Sequence, residues 1–218
     1  MTPHKPILGL IGSIGSGKST AALALARRGG AIVDADKLGH MVLDEPEVSR
    51  RLVARWGGSI LKPDGSVNRR AVGDVVFGNP LERTALEAIV FPRIHAREEE
   101  AYRSADADPE VAFIVLDAAV LLEAGRRHVC SKLLMIDAPR SLRLTRVALR
   151  NGWDDVELTR REAAQLPPAE KRSVADAAID NDGSVEELQL KIDAVLAGWG
   201  WLPSRADNED GKDAHGRH

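Results

Sequence analysis

Residues Gly12-Ser13-Ile14-Gly15-Ser16-Gly17-Lys18-Ser19 make up a complete G-x-x-x-x-G-K-[ST] phosphate-binding loop, and this segment constrains the fold of the chain more than any other. Such a loop works only between a buried strand and a helix whose positive dipole end faces the bound anion. Both flanks fit. Ile7-Leu8-Gly9-Leu10-Ile11 is a short apolar run suited to a buried strand, and Thr20 to Arg28 is rich in helix formers, with Gly29 as a stop. Glycines let backbone N–H groups approach phosphate oxygens that a Cβ would obstruct. Lys18 reaches the β- and γ-phosphates, and the Ser19 hydroxyl ligates Mg²⁺. Gly12, Ser13, Gly15, Ser16, Gly17, Lys18 and Ser19 are therefore expected to hold a nucleoside triphosphate.

Further short apolar runs alternate with helical stretches: Ala31-Ile32-Val33, Val111 to Leu116, Lys132 to Ile136 and Ala177-Ala178-Ile179. Each ends in a carboxylate: Asp34-Ala35-Asp36, Asp117, Asp137 and Asp180. Continuous rather than alternating apolar runs indicate strands covered on both faces, and intervening helices imply an α/β fold with a parallel sheet sandwiched by helices. Ligands of such sheets bind at the carboxyl ends of the strands.

Between Asp36 and Val111 lies a longer, mostly helical excursion. Its apolar faces are Val48/Leu52/Val53/Trp56, Ala71/Val72/Val75/Val76 and Leu86/Ile89/Val90, the last expected to end at Phe91-Pro92. A crossover needs only one helix, so several imply an inserted region, about 37–110, for a phosphate acceptor. Near the C-terminus, Ser184 with Glu187 predicts a capping box, followed by an apolar stripe of Val185, Leu188, Ile192, Val195, Leu196 and Trp199. Trp199 and Trp201 read as packing residues. From Ser204 on there is no apolar residue larger than Ala, so 1–202 is expected to be the folded domain and 203–218 a disordered tail, with His215 and His218 no metal ligands.

With 218 residues, 44% of them hydrophobic, the chain can bury a sizeable core. A net charge of −3 gives no general attraction to nucleic acid or to an anionic membrane. A single cysteine, Cys130, forms no internal disulfide and reads as a small buried residue. No apolar stretch nears the ~20 residues of a membrane span, and the first six residues lack a signal peptide's apolar core, so a cytoplasmic location is expected.

The phosphate loop alone indicates only a nucleoside triphosphate. The strand ending Asp137-Ala138-Pro139 is not followed by the Asn-Lys-x-Asp that reads guanine, and the Leu-Ser-Gly-Gly-Gln of transporter ATPases is absent. A small kinase fits best. Arg143, Arg146 and Arg150 share one helix face, and Arg160, Arg161, Lys171 and Arg172 follow around Pro167-Pro168. Phosphoryl transfer is mostly positioning and charge neutralisation, so an arginine-bearing lid, about 146–172, is expected. Arg146 is the functional candidate; Arg143 and Arg172 read as solvated surface residues.

Over most of its length, from Leu8 to about Leu196, the chain resembles the dephospho-CoA kinases. Gly9 to Thr20 looks like that family's phosphate loop, and Val33-Asp34-Ala35-Asp36-Lys37-Leu38-Gly39-His40 is similar to its Ile-Asp-Ala-Asp-x-x-x-His segment. Asp64-Gly65-Ser66-Val67-Asn68-Arg69 resembles its Asp-Gly-x-hydrophobic-Asp-Arg turn, with Asn for Asp. Leu121-Leu122-Glu123, Ala164-Gln165 and Ile179-Asp180-Asn181-Asp182-Gly183 continue the pattern. The resemblance implies P-loop kinase architecture and ATP-dependent phosphorylation of the ribose 3′-hydroxyl of dephospho-CoA, the last step of coenzyme A synthesis; a monomer or weak homo-oligomer is expected. It implies Asp36 as the catalytic carboxylate, Arg146 as the lid arginine, Thr20 and Asn181 as nucleotide contacts, and Asp36, His40 and Arg69 on the acceptor side. Asp36 also has the alternative of capping the next helix. Asp117 either holds Mg²⁺ through water or caps a turn, and His40 either lies near the acceptor or is a packed structural histidine.

Three positions depart from the family pattern: Ile11 for a Thr, Phe91 for a His, and Asp117-Ala118-Ala119-Val120 without its Pro. Two competing readings use the same scaffold: a divergent nucleoside monophosphate or other small-molecule kinase, and a nucleotide-binding regulator without catalysis.

Overall fold

The structure is a computed structural model, and it describes residues 3–202. In chain order its elements are β1 (Ile7–Gly12), α1 (Lys18–Ala26), β2 (Gly30–Asp34), α2 (Ala35–Leu43), α3 (Pro46–Trp56), α4 (Arg69–Val76) and α5 (Pro80–Ala107). There follow β3 (Phe113–Asp117), β4 (Lys132–Asp137), α6 (Arg140–Asn151), α7 (Asp155–Glu162), α8 (Pro168–Val174), β5 (Ala177–Asp180) and α9 (Val185–Gly198). The described residues divide into two compact units, a smaller one of Val33–Ala107 and a larger one of His4–Ile32 with 108–202.

The larger unit is built on a sheet of order β2-β3-β1-β4-β5, in which the β1–β3, β1–β4 and β4–β5 pairs are parallel. Every residue of β1 is buried, and so are four consecutive residues each of β3 and β4. The strand order explains this. β1 lies in the middle, the chain leaves it toward β2 and β3 on one side, and β4 and β5 extend the other side. The carboxyl end of β1 is therefore the topological switch point of the sheet, where α/β folds bind ligands, and the phosphate loop stands there. Leu8, Leu10, Leu134 and Ile136 pack with Ala21, Ala24 and Leu25 of α1 and Leu188, Ile192 and Leu196 of α9. Each of these large side chains stabilises the fold by about 1.5–3 kcal/mol relative to its exposure.

Ser184 caps α9 in the expected box with Glu187. The expected stripe holds except at its start, with Val195 and Trp199 half-buried against the core. Leu188, Ile192 and Leu196, four residues apart, enter the core, whereas Val185 at the open first turn is 49% exposed. Trp201 packs on Phe113 and Trp199, with ring centroids 5.6 and 5.4 Å apart. The expected tail from 203, with His215 and His218, lies outside the described residues.

The smaller unit has its own apolar cluster, formed by Val42, Val48, Leu52, Ile60, Val67, Val72, Ile89 and Val90. One expectation fails here: α5 does not end at Pro92 but runs through it to Ala107. An interior proline costs about 3 kcal/mol, because it removes one backbone hydrogen bond and crowds the preceding turn. Tertiary contacts on both sides of Pro92 offset that cost. Ile89 and Val90 are buried ahead of it, and beyond it Arg93 and Arg97 donate to the two oxygens of Glu45, at 2.6 and 2.7 Å. No helix among the described residues is long and apolar enough to cross a membrane.

Candidate active site

The phosphate loop leaves β1 at Gly12 and enters α1 at Lys18, with Gly17 as the N-cap residue. Gly17 has φ +94°, and a Cβ there would also collide with Asn181 Nδ2, so both backbone conformation and space demand glycine. The carbonyls of the loop are braced from outside. Arg143 Nη1 donates to Ile14 O at 3.2 Å, and Arg146 Nη1 to Gly15 O at 3.4 Å and Ser16 O at 3.2 Å. Asn181 Nδ2 donates to Ser16 O at 2.7 Å, and Arg146 Nη2 returns to Asn181 O at 3.0 Å. Ser13 Oγ donates to Asp137 Oδ1 at 3.3 Å. Ser16 Oγ is buried and has no hydrogen-bond partner.

The loop borders a cleft of about 430 Å³ lined by Gly12 to Thr20, Ala119, Arg146, Arg150, Gln165, Asn181, Gly183, Val185 and Leu188. It brings together Gly12, Ser13, Gly15, Ser16, Gly17, Lys18, Ser19, Thr20, Asn181 and Arg146, all expected from the sequence to serve the nucleotide. Positive φ, a helix N-terminus and three cationic side chains make it a site for polyanionic phosphate.

The carboxylates at the strand ends are engaged. Lys18 Nζ forms a close ion pair with Asp117, a partner foreseen neither by the metal reading nor by the turn-capping reading of that residue. Arg172 bridges Asp137 and Asp180, whose strands end in register. Arg172 is thus a strut between β4 and β5 rather than a free surface charge. Arg143 corrects the sequence reading more sharply. It is 5% exposed and also donates to Ala138 O at 3.0 Å and to Glu162. The i, i+3 spacing to Arg146 showed that the two share a face, but not that the loop and α7 cover it.

Sequence reasoning also missed a second buried cation. Lys171, 2% exposed, donates to Gln165 Oε1 at 3.1 Å and pairs with Glu123 at 3.3 Å. Glu123 accepts from Leu166 N at 2.7 Å, and Gln165 donates to Ala119 O at 3.2 Å. Burial pushes the Glu123 carboxyl up, but the Leu166 N–H and the Lys171 ammonium outweigh it and hold the group below the usual carboxylate range. Burial pushes the Cys130 thiol to about 11, which leaves it protonated and inert, as its type and setting implied.

Asp36, His40 and Arg69 belong to the smaller unit. The cap of α2 is Asp34, which accepts from Lys37 N at 2.8 Å, so the capping alternative for Asp36 is overturned; Asp36 occupies the first turn, exposed. His40 is exposed and not packed. Arg69 is exposed, 3.7 Å from Asp44 and 3.5 Å from His40 O. Asn68 caps α4 by accepting from Arg70 N and Ala71 N, a task Asn and Asp perform equally, so the Asn-for-Asp departure keeps the local structure. Ile11 is buried in β1, and Phe91 is half-exposed with its ring edge-on to His95. Among the described residues, no three His, Cys, Asp or Glu side chains cluster as a metal cage.

Comparison with known proteins points to one family. Residues 6–187 match the family model for dephospho-CoA kinase. A dephospho-CoA kinase from Geobacter metallireducens is 41% identical over 194 residues, covering 87% of this chain and 94% of that one. One from Corynebacterium jeikeium is 35% identical over 195 residues, covering 89% and 98%. A crystal structure from Thermus thermophilus superposes with a TM-score of 0.77 at 34% identity, covering 89% and 98%. With a braced phosphate loop at the switch point of its sheet and a family match over most of its length, the chain belongs to the dephospho-CoA kinase family.

Proposed function

We propose that the protein transfers the γ-phosphate of ATP to the ribose 3′-hydroxyl of dephospho-CoA, giving coenzyme A and ADP. The observation that carries this reading is the family match over residues 6–187, which contains every residue of the braced nucleotide cleft except Leu188. In the reaction, the 3′-oxygen bonds to the γ-phosphorus as the bond from that phosphorus to the β,γ-bridging oxygen breaks, and ADP leaves. The hydroxyl proton passes to Asp36. Lys18 and Arg146 neutralise charge that develops on the transferring phosphoryl group, and Asn181 holds the nucleotide. His40 and Arg69 bind the acceptor. The helical segment 37–110 is the acceptor-binding region and 146–172 the lid.

Mg²⁺ bound with the triphosphate supplies a hard cation that draws charge from the phosphate oxygens. The donor set fits such an ion. The Ser19 hydroxyl and the Asp117 carboxylate are hard oxygens, and Mg²⁺ is usually held by one or two carboxylates plus substrate phosphates rather than by an all-protein cage; Asp117, paired with Lys18 in this structure, would exchange that partner for the ion or its water as Lys18 turns to the phosphates. The proposed enzyme is cytoplasmic, a monomer or weak homo-oligomer, with no nucleic-acid or membrane partner.

The test is ADP release from Mg-ATP by the purified protein with and without dephospho-CoA, with the product mass measured. Turnover that depends on dephospho-CoA and yields coenzyme A is expected. Turnover with nucleoside monophosphates instead, or ATP binding without turnover, would overturn the proposal.

A further inference from the structure

Two arginines one turn apart on α6 brace the phosphate loop, and they differ in what they face. Arg146 lines the cleft. Arg143 does not line it. It lies buried behind the loop, with Nε on Ala138 O and Nη1 shared between Ile14 O and Glu162, the last residue of α7. The loop is pressed onto α6 at that point. Gly15 has φ +78°, and a Cβ there would come within 2.8 Å of Arg143 O and 3.2 Å of Arg143 Cα.

In a planar trans peptide the C=O and the following N–H point opposite ways. Holding Ile14 O toward Arg143 therefore turns the Gly15 N–H away from Arg143, a residue that does not line the cleft that Gly15 lines. The Arg143 charge is in turn compensated by Glu162, and a buried arginine without its carboxylate could not keep this position at low cost. α7 is also fastened to α6 by Arg140, which donates to Asp155 and to Thr159 Oγ1 at 2.8 Å. No residue of α7 lines the cleft.

We infer that Arg143 is a positioning residue for nucleotide binding: held by Glu162, it makes the orientation of the Ile14–Gly15 peptide, and with it affinity for nucleotide phosphate, depend on the placement of α7. This rests on the nucleotide reading of the cleft and not on the identity of the acceptor.

ADP binding, measured by calorimetry, tests it with the parent, Arg143→Lys, Glu162→Gln and the double variant. Glu162 is 25% exposed, so Glu162→Gln keeps shape and a hydrogen-bond acceptor and tests the link even if Arg143→Lys folds poorly. Each single change is expected to weaken ADP about tenfold, with the double variant no weaker than the worse single, because both cut one link. In the parent, ADP should slow amide exchange in Asp155–Glu162, and Glu162→Gln should abolish that protection. A lowered melting temperature with ADP affinity kept within about twofold would reduce Arg143 to a structural part and overturn the inference; so would effects that multiply in the double variant. If the parent itself binds no ADP, the nucleotide reading fails and takes this inference with it. If the parent binds ADP but does not phosphorylate dephospho-CoA, only the acceptor proposal fails.

Discussion

The two units solve different problems with different interactions. Around the phosphate loop, polar groups are cross-braced. Ile14, Gly15 and Ser16 give their carbonyls to Arg143, Arg146 and Asn181, and the buried cations Arg143 and Lys171 each have a carboxylate. The Val33–Ala107 unit rests instead on an aliphatic cluster, with ion pairs at its rim such as Glu45 with Arg93 and Arg97 and Glu82 with Arg55. Its candidate acceptor residues Asp36, His40 and Arg69 are all exposed. The contrast suits the ligand proposed for each. Fixed dipoles stabilise phosphate charge only if they need not reorganise, so the nucleotide side is built into the packing. The proposed acceptor residues are surface side chains carried by a unit with its own core.

Several changes would break or sharpen this contrast. The largest effect is expected for Asp36→Asn, which should lower turnover about a hundred- to ten-thousandfold while leaving ADP affinity within about twofold of the parent. Lys18→Ala should lower turnover about a hundred- to a thousandfold and weaken ADP binding as well. Equal losses of ADP affinity in the two variants would erase the proposed division of labour. Next comes Leu52→Ala in the aliphatic cluster, where loss of a fully buried side chain should cost about 2–5 kcal/mol in denaturant unfolding. The folded variant should still bind ADP like the parent; coupled losses would show that the smaller unit also props the nucleotide cleft.

Glu123 gives a smaller, pH-dependent test on the braced side. Its folded carboxyl lies below the usual range, so its contribution is present above the unfolded pKa of about 4.3 and is lost as pH falls through the folded value. Thermal melts from neutral pH downward should show the parent's stability dropping in that acid window more than that of Glu123→Gln, which is less stable at neutral pH by about 1–3 kcal/mol. Parallel pH curves for the two would remove Glu123 from the brace. The smallest effect is expected at Asn68. Asn68→Ala should cost about 1 kcal/mol in unfolding through its lost cap, while Asn68→Asp should change stability by a few tenths at most.

Much of the nucleotide side was legible because its requirements are local. A glycine at positive φ, a lysine and a hydroxyl at set spacing, a preceding apolar strand and a capping box each act within a few residues. The α/β class was legible for the same reason, since continuous apolar runs record burial on both faces of a strand. The helix through Pro92 was not legible. The local rule at proline is a stop, and what overrides it is the pairing of Arg93 and Arg97 with Glu45, 48 and 52 residues away in sequence. The burial of Arg143 and Lys171 was hidden in the same way, because a charged residue in a basic helix reads as solvated until its partner is located.

The sequence by itself determined the loop, the order and type of the main elements, and the family. These depend on residue type, spacing and periodicity, which the chain carries whether or not it is folded. Only the tertiary structure decided how the charges pair. Asp117 on Lys18, Arg172 across Asp137 and Asp180, and Glu162 beneath Arg143 are pairings between residues from 8 to 99 positions apart in sequence. A charge declares its role only when folding removes its water and leaves one partner within reach.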